Sequence, residues 1–513
     1  MKKLIFFIVM YITSVVCEGQ VLFQKTYGGL RDDYSRCGQQ TLDGGYIIAG
    51  STFNYGVIFS QIYLIKADIN GDTLWTKTYE ESDSYANYVQ QTADGGYIIT
   101  GKKDNDVYLL KTDSIGNLLW SKTYGGVDNE QGECVQQTID GGFIITGYTD
   151  GFLSIGCTKP YLIRTDSIGN LIWSKMFGYG STHCFNYTHD VQHTMDGGYI
   201  VVGTVAIGST NRVYLIKLDL NGDTLWTKKF GGSIGSKAKG LSIQETSDGG
   251  FIITGSFYGV YLVKTDSMGN IQWAKVCGGS SVDVGCSVKQ TIDGGYIVAG
   301  YISNFGYGGR DAYLIKTDSI GNTLWAKTFG GTSDDFSFSV NQTMDGGYFL
   351  VGRTESFGSG SWDVYVIKTD SLGNAGCNES FPSIISTSAV TEFADRVVSI
   401  IFPPTIETSS PTIVGSGGIV TTICTNVGFN DLIKEEVFDI YPNPFNEHIF
   451  ISPKNNDFVE FILYDITGRN RLQQLLLNSN TLNTEQLSNG IYFYEARNKN
   501  GYIKKGKLVK TSH

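Results

Sequence analysis

A four-residue signature recurs seven times in this chain, and no other feature limits its folding as tightly. Asp43-Gly44-Gly45-Tyr46 is followed by the same pattern from Asp94, Asp140, Asp196, Asp248, Asp293 and Asp345, always with Tyr or Phe in fourth place. The intervals are 51, 46, 56, 52, 45 and 52 residues. A period in this range marks an array of one small unit, because a lone unit cannot bury its own apolar face.

Each unit carries four β-type runs separated by turn chemistry. The first ends in a Thr two residues before the Asp: Thr41, Thr92, Thr138, Thr194, Thr246, Thr291 and Thr343. The second reads like Tyr97-Ile98-Ile99-Thr100-Gly101, the third like Tyr313-Leu314-Ile315-Lys316-Thr317-Asp318, and the fourth like Leu324-Trp325-Ala326-Lys327-Thr328-Phe329-Gly330-Gly331. Short β-branched and aromatic runs bounded by Asp-Gly and Gly-Asn are strand and hairpin signals. The Asp-Gly-Gly step suits a turn that needs positive φ, which glycine takes without a Cβ clash. No stretch of helical period competes.

Four strands repeated at this interval predict an all-β chain whose main body is a β-propeller of seven blades. Six units run on into a tryptophan strand, at Trp75, Trp120, Trp173, Trp226, Trp273 and Trp325, whereas the seventh passes from Gly373-Asn374 into Ala375-Gly376-Cys377. The missing pattern stands at the other end of the chain, in Val21-Leu22-Phe23-Gln24-Lys25-Thr26-Tyr27-Gly28-Gly29, with Phe23 for Trp. The N-terminal strand is therefore expected to complete the last blade and close the ring, since the blade would otherwise bare an unpaired edge.

The succession Asp311–Asn322 and Leu324–Gly331 resembles the bacterial SBBP-type β-propeller repeat, over roughly residues 21–375. That resemblance implies an extracellular propeller and assigns no ligand.

Successive turns alternate between the two faces of such a ring. The constant turns, Asp-Gly-Gly and Asp-Ser-Ile-Gly-Asn, share one face, and the variable loops share the other. From the Gly ending the second strand to the Tyr of the third, these loops hold 12, 6, 13, 10, 5, 12 and 12 residues. Length variation confined to one face points to a binding face. Its candidate ligand residues are Tyr55, Phe59, Phe152, Phe305, Tyr307, Arg310 and Trp362, with Phe53 and Phe357 nearby. Exposed aromatics among Gly, Ser and Asn suit stacking on sugar rings or docking a protein; the competing expectation is that they fold back to cap their own blades.

Chemistry-bearing motifs are sparse, and we expect no catalytic residues, metal or cofactor. The recurrent aspartates occur in every unit, whereas a catalytic pair should break the symmetry, so they are read as turn formers. Asp68–Asp72 and Asp219–Asp223 lack the order and distal Glu of a calcium loop. His183, His189 and His193 fall together beside Cys184 and Asp190, but His193 takes the place of Gln40, Gln91 and Gln137 in other units. Lys plus Arg total 39 against 50 Asp plus Glu, a net charge of −11, which argues against a phosphate-binding groove and a nucleic-acid partner.

The ends speak of export. Lys2 and Lys3 precede a 13-residue apolar run, Leu4–Val16, so residues 1–19 read as a secretory signal, too short to span a bilayer comfortably. Lipidation at Cys17 is the alternative, and no other stretch is a transmembrane segment. An exported chain can oxidise its cysteines, and Cys377 with Cys424 would close a loop of 47 residues; free buried thiols are the other option.

Residues 376–436 break the pattern and read as a Ser/Thr-rich linker with some strand character. Residues 437–513 then show alternating runs that suggest a small antiparallel β-sandwich. Tyr441-Pro442-Asn443-Pro444-Phe445, Tyr464–Arg469, Leu487–Phe493 and the basic Lys504–Lys510 occur in an order that resembles the type A C-terminal sorting domain of the type IX (Por) secretion system. The resemblance implies the type IX machinery as partner through 437–513, and an extracellular or outer-membrane-surface destination. For residues 20–375 the expected role is a binding module for an extracellular glycan or protein. A propeller glycosidase or polysaccharide lyase, or a purely structural protein, are the rival readings.

Overall fold

The computed structural model describes residues 20–54, 59–79, 82–126, 128–150, 158–178, 186–231, 237–278, 283–303 and 305–382. It also describes 387–388, 392–394, 398–401, 405–409, 419–427, 438–441, 445–453, 458–465, 469–477, 480–498 and 503–511. Two compact units divide the chain, residues 1–428 and 429–513. Among the described residues the secondary structure is all β, and no helix is long and apolar enough to cross a membrane. The signal read over 1–19 lies outside the described residues.

The first unit is built from antiparallel four-stranded sheets in the manner of a propeller. Numbered by their first strands, sheet I opens at Asp33–Gln40, II at Ser84–Gln91, III at Glu130–Gln137, IV at Tyr187–His193, V at Lys239–Glu245, VI at Val284–Gln290 and VII at Asp335–Gln342. In sheets I to VI the four strands follow one another in sequence, and the tryptophan strand is the fourth. In sheet VII the fourth place is taken by Val21–Gly28, which runs antiparallel to Asp363–Thr369 with Thr26 opposite Tyr365. The Tyr365 hydroxyl donates to Gln24 Oε1 at 2.5 Å.

The repeated residues owe their constancy to two sets of contacts. Inside each sheet, the Asp of Asp-Gly-Gly accepts from the Thr hydroxyl two residues before it and pairs with a basic residue of the third strand. Thr194 and Lys217 hold Asp196 in this way at 2.6 and 2.8 Å, and Arg164 takes the lysine's place on Asp140. Between sheets, each tryptophan covers the glycine of the next unit's Asp-x-x-Gly turn. Gly116, at φ +75°, leaves so little room that a Cβ would stand 2.8 Å from Trp75. Only glycine both takes that φ and admits the indole. These carboxylates are turn and strand clamps, as the sequence suggests.

The stretch read as a linker is different in kind. Glu379–Ser380 pairs with the outer strand of sheet VI, Thr387–Ser388 with V, Glu392–Ala394 with IV, Val398–Ile401 with III and Thr405–Ser409 with II. Ile419–Val427 then pairs with Val21–Gly28 of sheet VII. Six outer edges thus gain a fifth strand, in reverse order of the sheets, and sheet I keeps four. An unpaired outer edge is a template for aggregation, and this belt of short strands satisfies it. Cys377 and Cys424 are disulfide-bonded, so the segment that visits these edges is joined at its two ends.

In the second unit, Phe438–Tyr441, His448–Pro453 and Asn480–Asn483 form one antiparallel sheet. Asn470–Leu477, Phe458–Asp465, Gly490–Asn498 and Ile503–Lys510 form another. A single core of Phe445, Ile449, Ile451, Phe461, Leu463, Leu482 and Leu508 is shared by both, the layout of a small sandwich.

Candidate ligand-binding site

The first strands of all seven sheets carry a β-bulge at the same place. The register skips Arg36 in sheet I, Asn87 in II, Glu133 in III, His189 in IV, Leu241 in V, Cys286 in VI and Phe338 in VII. Each is the fifth residue before its Thr, and all seven are different. A bulge frees one residue from the ladder and re-aims its side chain. Here the seven freed residues line one cavity of about 360 Å³, to which every first strand contributes.

The glycine that ends each second strand makes room for the bulge. A Cβ on Gly50 would stand 2.7 Å from Ser35 Cα and closer still to the Tyr34 carbonyl oxygen; the other six repeat glycines are equally crowded. The constant Gly of Tyr-Ile-Ile-Thr-Gly therefore serves the variable residue across from it.

Electrostatically the cavity is uneven. Arg36, Lys239 and Lys289 line it, Arg353 stands by at the end of a second strand, and none of the four makes a salt bridge among the described residues. Of the acids that line it, Asp190 is buried and tied down by Ser242 Oγ and the Ile243 N–H, at 3.1 and 3.0 Å. Burial raises the Glu133 carboxyl against the pull of Arg36 and a hydrogen bond from Gln131. Burial also lowers His189 to about 4, with the charges of Lys239 and Arg36 acting the same way, so its imidazole is neutral at pH 7. Cys286 is pushed up to about 12 by burial, with Arg36 opposing, which leaves an unreactive thiol.

A second cavity of about 350 Å³ shares Arg36 with the first and is lined by Tyr34, Phe53, Tyr85, Asp83 and Arg353, among others. Beside it lies an aromatic cage. The Arg353 guanidinium carbon sits 4.4 Å from the Trp362 ring centre, 5.1 Å from Phe336, 5.2 Å from Tyr34 and 5.7 Å from Phe338. Its Nε is buried with no hydrogen-bond partner. Arg310 joins the edge of this cage, 5.8 Å from Phe336 and 5.9 Å from Tyr301, and faces Asp334 at 3.9 Å.

Of the residues singled out in the sequence, Arg310 and Trp362 meet in this cage. Phe59, Phe305 and Tyr307 are exposed, and no ring contact ties them to it. Tyr55 and Phe152 lie outside the described residues. Trp362 is half-buried on Arg353 and Tyr34, so it is partly the loop cap that competed with the binding expectation. Sequence reasoning missed Arg36, Lys239, Arg353, Tyr34, Phe336 and Phe338. The signal that could have found the bulge residues is the single column of the repeat alignment in which all seven residues differ.

The histidine group does not assemble as a site. His193 lies edge-on to Tyr199 and His189 stacks on Tyr187, while His183 and Cys184 lie outside the described residues. Among the described residues no group of three His, Cys, Asp or Glu is placed to hold a metal ion.

No curated protein matches the sequence. Among solved structures, the chain is similar to a protein of unknown function from Bacteroides caccae, at 12% identity, TM-score 0.36, over 61% of this chain and 98% of that one. It is also similar to Sqt1 from Chaetomium thermophilum, at 10% identity, TM-score 0.42, over 68% and 98%. A third likeness is to the extracellular domain of a one-component system from B. thetaiotaomicron, at 11% identity, TM-score 0.38, over 96% and 58%. Residues 439–511 match the secretion system C-terminal sorting domain family. The second unit is thus a type IX sorting tail, and such a tail implies export to the cell surface or the extracellular space.

Proposed function

We propose that residues 20–428 form a closed ring of seven blades that is exported and there acts as a binding module, holding a glycan or protein ligand at the axial cavity and the aromatic cage beside it. The observation that carries the reading is the set of seven bulges, which present seven unlike side chains to one cavity on an otherwise repetitive frame. Ring closure is supported by the pairing of Val21–Gly28 with Asp363–Thr369, and by the Met344 N–H, which donates to Gln40 Oε1 across 304 positions of sequence at 2.8 Å. Clefts of several hundred Å³ with a few convergent polar groups are the usual form of a ligand site.

Binding of the purified full chain to a glycan array and to surface proteins tests this. The expected result is a ligand whose affinity falls at least tenfold in Trp362→Ala. A ligand retained at full strength by Trp362→Ala, Arg353→Gln and Arg36→Gln would overturn the site.

A second reading, an extracellular enzyme acting on a polysaccharide, draws on the meeting of Glu133 and His189 in one cavity. Release of reducing ends or of unsaturated products from polysaccharides, lost in Glu133→Gln and His189→Asn, would favour it over a binding module.

A further inference from the structure

The cavity and the cage are cationic in an acidic protein. The chain carries a net charge of −11, yet Arg36, Lys239 and Arg353 stand at the two adjoining cavities without a salt bridge among the described residues. On the third strands the basic side chains are clamped: Lys66, Lys111, Lys217, Lys264, Lys316 and Lys368 each hold a carboxylate at 3.0 Å or less. The third-strand cations are each matched to a carboxylate, whereas Arg36, Lys239, Lys289 and Arg353, gathered around one space, are not, and this leaves room for an anion.

The anion's chemistry can be narrowed. Arginine is suited to a planar, two-oxygen acceptor, and Arg353 keeps a buried Nε–H without a partner. Around it, Trp362, Tyr34 and Phe336 supply flat apolar faces, while Asn87, Ser339 and Asn341 give the cavity neutral hydrogen-bonding groups. A flat carbon face, several hydroxyls and one carboxylate on the same small unit describe an acidic sugar. Arg36 lines both cavities, so it can reach a ligand in either.

We propose that the site takes a carboxylate-bearing sugar, a uronic acid residue of an extracellular polysaccharide, with its carboxylate between Arg36 and Arg353 and its ring against the Trp362 side of the cage. This rests on the binding-module reading and deepens it. Lys239, which lines the first cavity, adds long-range attraction that should fade with salt.

Titration calorimetry of the full chain with a galacturonate trisaccharide, its methyl ester and a neutral trisaccharide of the same length tests the proposal. The acid is expected to bind at least tenfold more tightly than the ester. Arg36→Gln and Arg353→Gln should each lose tenfold or more towards the acid, and the preference for acid over ester should shrink with that loss. Arg353→Lys should recover only part of the loss, because an ammonium cannot offer two parallel donors. Near-ultraviolet circular dichroism of each variant guards against loss of the fold. Equal binding of acid and ester, or a neutral sugar bound best and lost in Trp362→Ala, would overturn the acidic-sugar assignment and leave the binding module standing. If an acidic peptide is bound in preference to all three sugars, the sugar assignment is wrong though the anion site is right. No binding to any of the probes by the wild-type chain would overturn the assignment, and failure on the glycan array and surface-protein screen as well would overturn the module.

Discussion

Phe23 lies against Gly71 as each repeat tryptophan lies against the turn glycine of the unit that follows: a Cβ on Gly71 would stand 2.7 Å from Phe23 Cζ, and one on Gly373 would stand 2.7 Å from Trp325. Tyr27 repeats the match, its hydroxyl donating to the Gly71 carbonyl at 2.6 Å as Tyr79 does to Gly116. Residues 21–28 are thus chemically one of the repeats, removed to the start of the chain. Phe23→Ala should cost about 3–5 kcal/mol, the usual loss for a buried phenylalanine. Gly71→Ala should be destabilising too, because it strains φ and strikes the same ring. Thermal unfolding monitored by circular dichroism checks both.

Reducing the Cys377–Cys424 bond should loosen the belt and spare the sheets beneath it. In the chain-entropy account, a loop of 47 residues contributes about 4 kcal/mol. Cys424→Ser, or the wild type under reductant, is expected to melt earlier and to be cut by protease between residues 383 and 418 well before the sheets are touched. Fragments arising first inside residues 33–369 would contradict this.

The glycines across from the bulges should resist substitution. Gly147→Ala places a methyl against the Gln131 carbonyl and about 3 Å from Gly132 Cα, within the bulge that aims Glu133. Relieving the clash means moving backbone, at a cost of about 1–3 kcal/mol. The outcome to look for is a lower melting temperature, with hydrogen-exchange protection lost first in residues 130–137.

Stability should peak in mildly acid solution. Burial raises Asp311 to about 7, aided by the charge of Asp335, and burial raises Asp33 to about 7 despite hydrogen bonds from Thr52, Gly29 and Asn54. An acid raised in the folded state stabilises below its ordinary value, near 3.9, and loses that contribution as pH climbs through the raised one. Asp196, Asp248 and Asp293 go the other way. Burial alone would raise them, but the hydrogen bonds of Lys217, Lys264 and Lys316 with their Thr and Gly neighbours hold them at about 2. Their contribution is present above about 4 and disappears as pH falls through about 2. The melting temperature should therefore be highest near pH 4 to 5 and fall on both sides. Asp311→Asn should flatten the neutral limb and leave the acid limb alone.

What could be read from the sequence was whatever the repeat kept constant. The turns, the clamping aspartates and the partner of Val21–Gly28 all followed from seven aligned units, even with Phe23 replacing Trp. The fifth strands did not, because runs such as Glu379–Ser380 and Thr387–Ser388 are too short to show a period of two. They form because an outer edge stands ready to accept them. The site escaped for the opposite reason. Arg36, Glu133 and His189 look like unrelated strand residues until the bulge brings their column to one cavity. Arg353 reads as an ordinary strand end and acquires meaning only from Trp362 and Phe336 around it. Of the loop residues singled out, Trp362 lies on Arg353 and Arg310 at the edge of the same cage.

The belt also ties the late part of the first unit to its opening strand. Its strands visit the sheets backwards, from the sixth to the second, and finish on residues 21–28, the outer strand of the seventh sheet. That strand is held on one edge by residues 363–369 and on the other by residues 419–427. The bond between residues 377 and 424 spans that return path. One covalent bond thus fastens the start of the route close to its finish, so the added strands are held by a single closed loop and not by each edge alone.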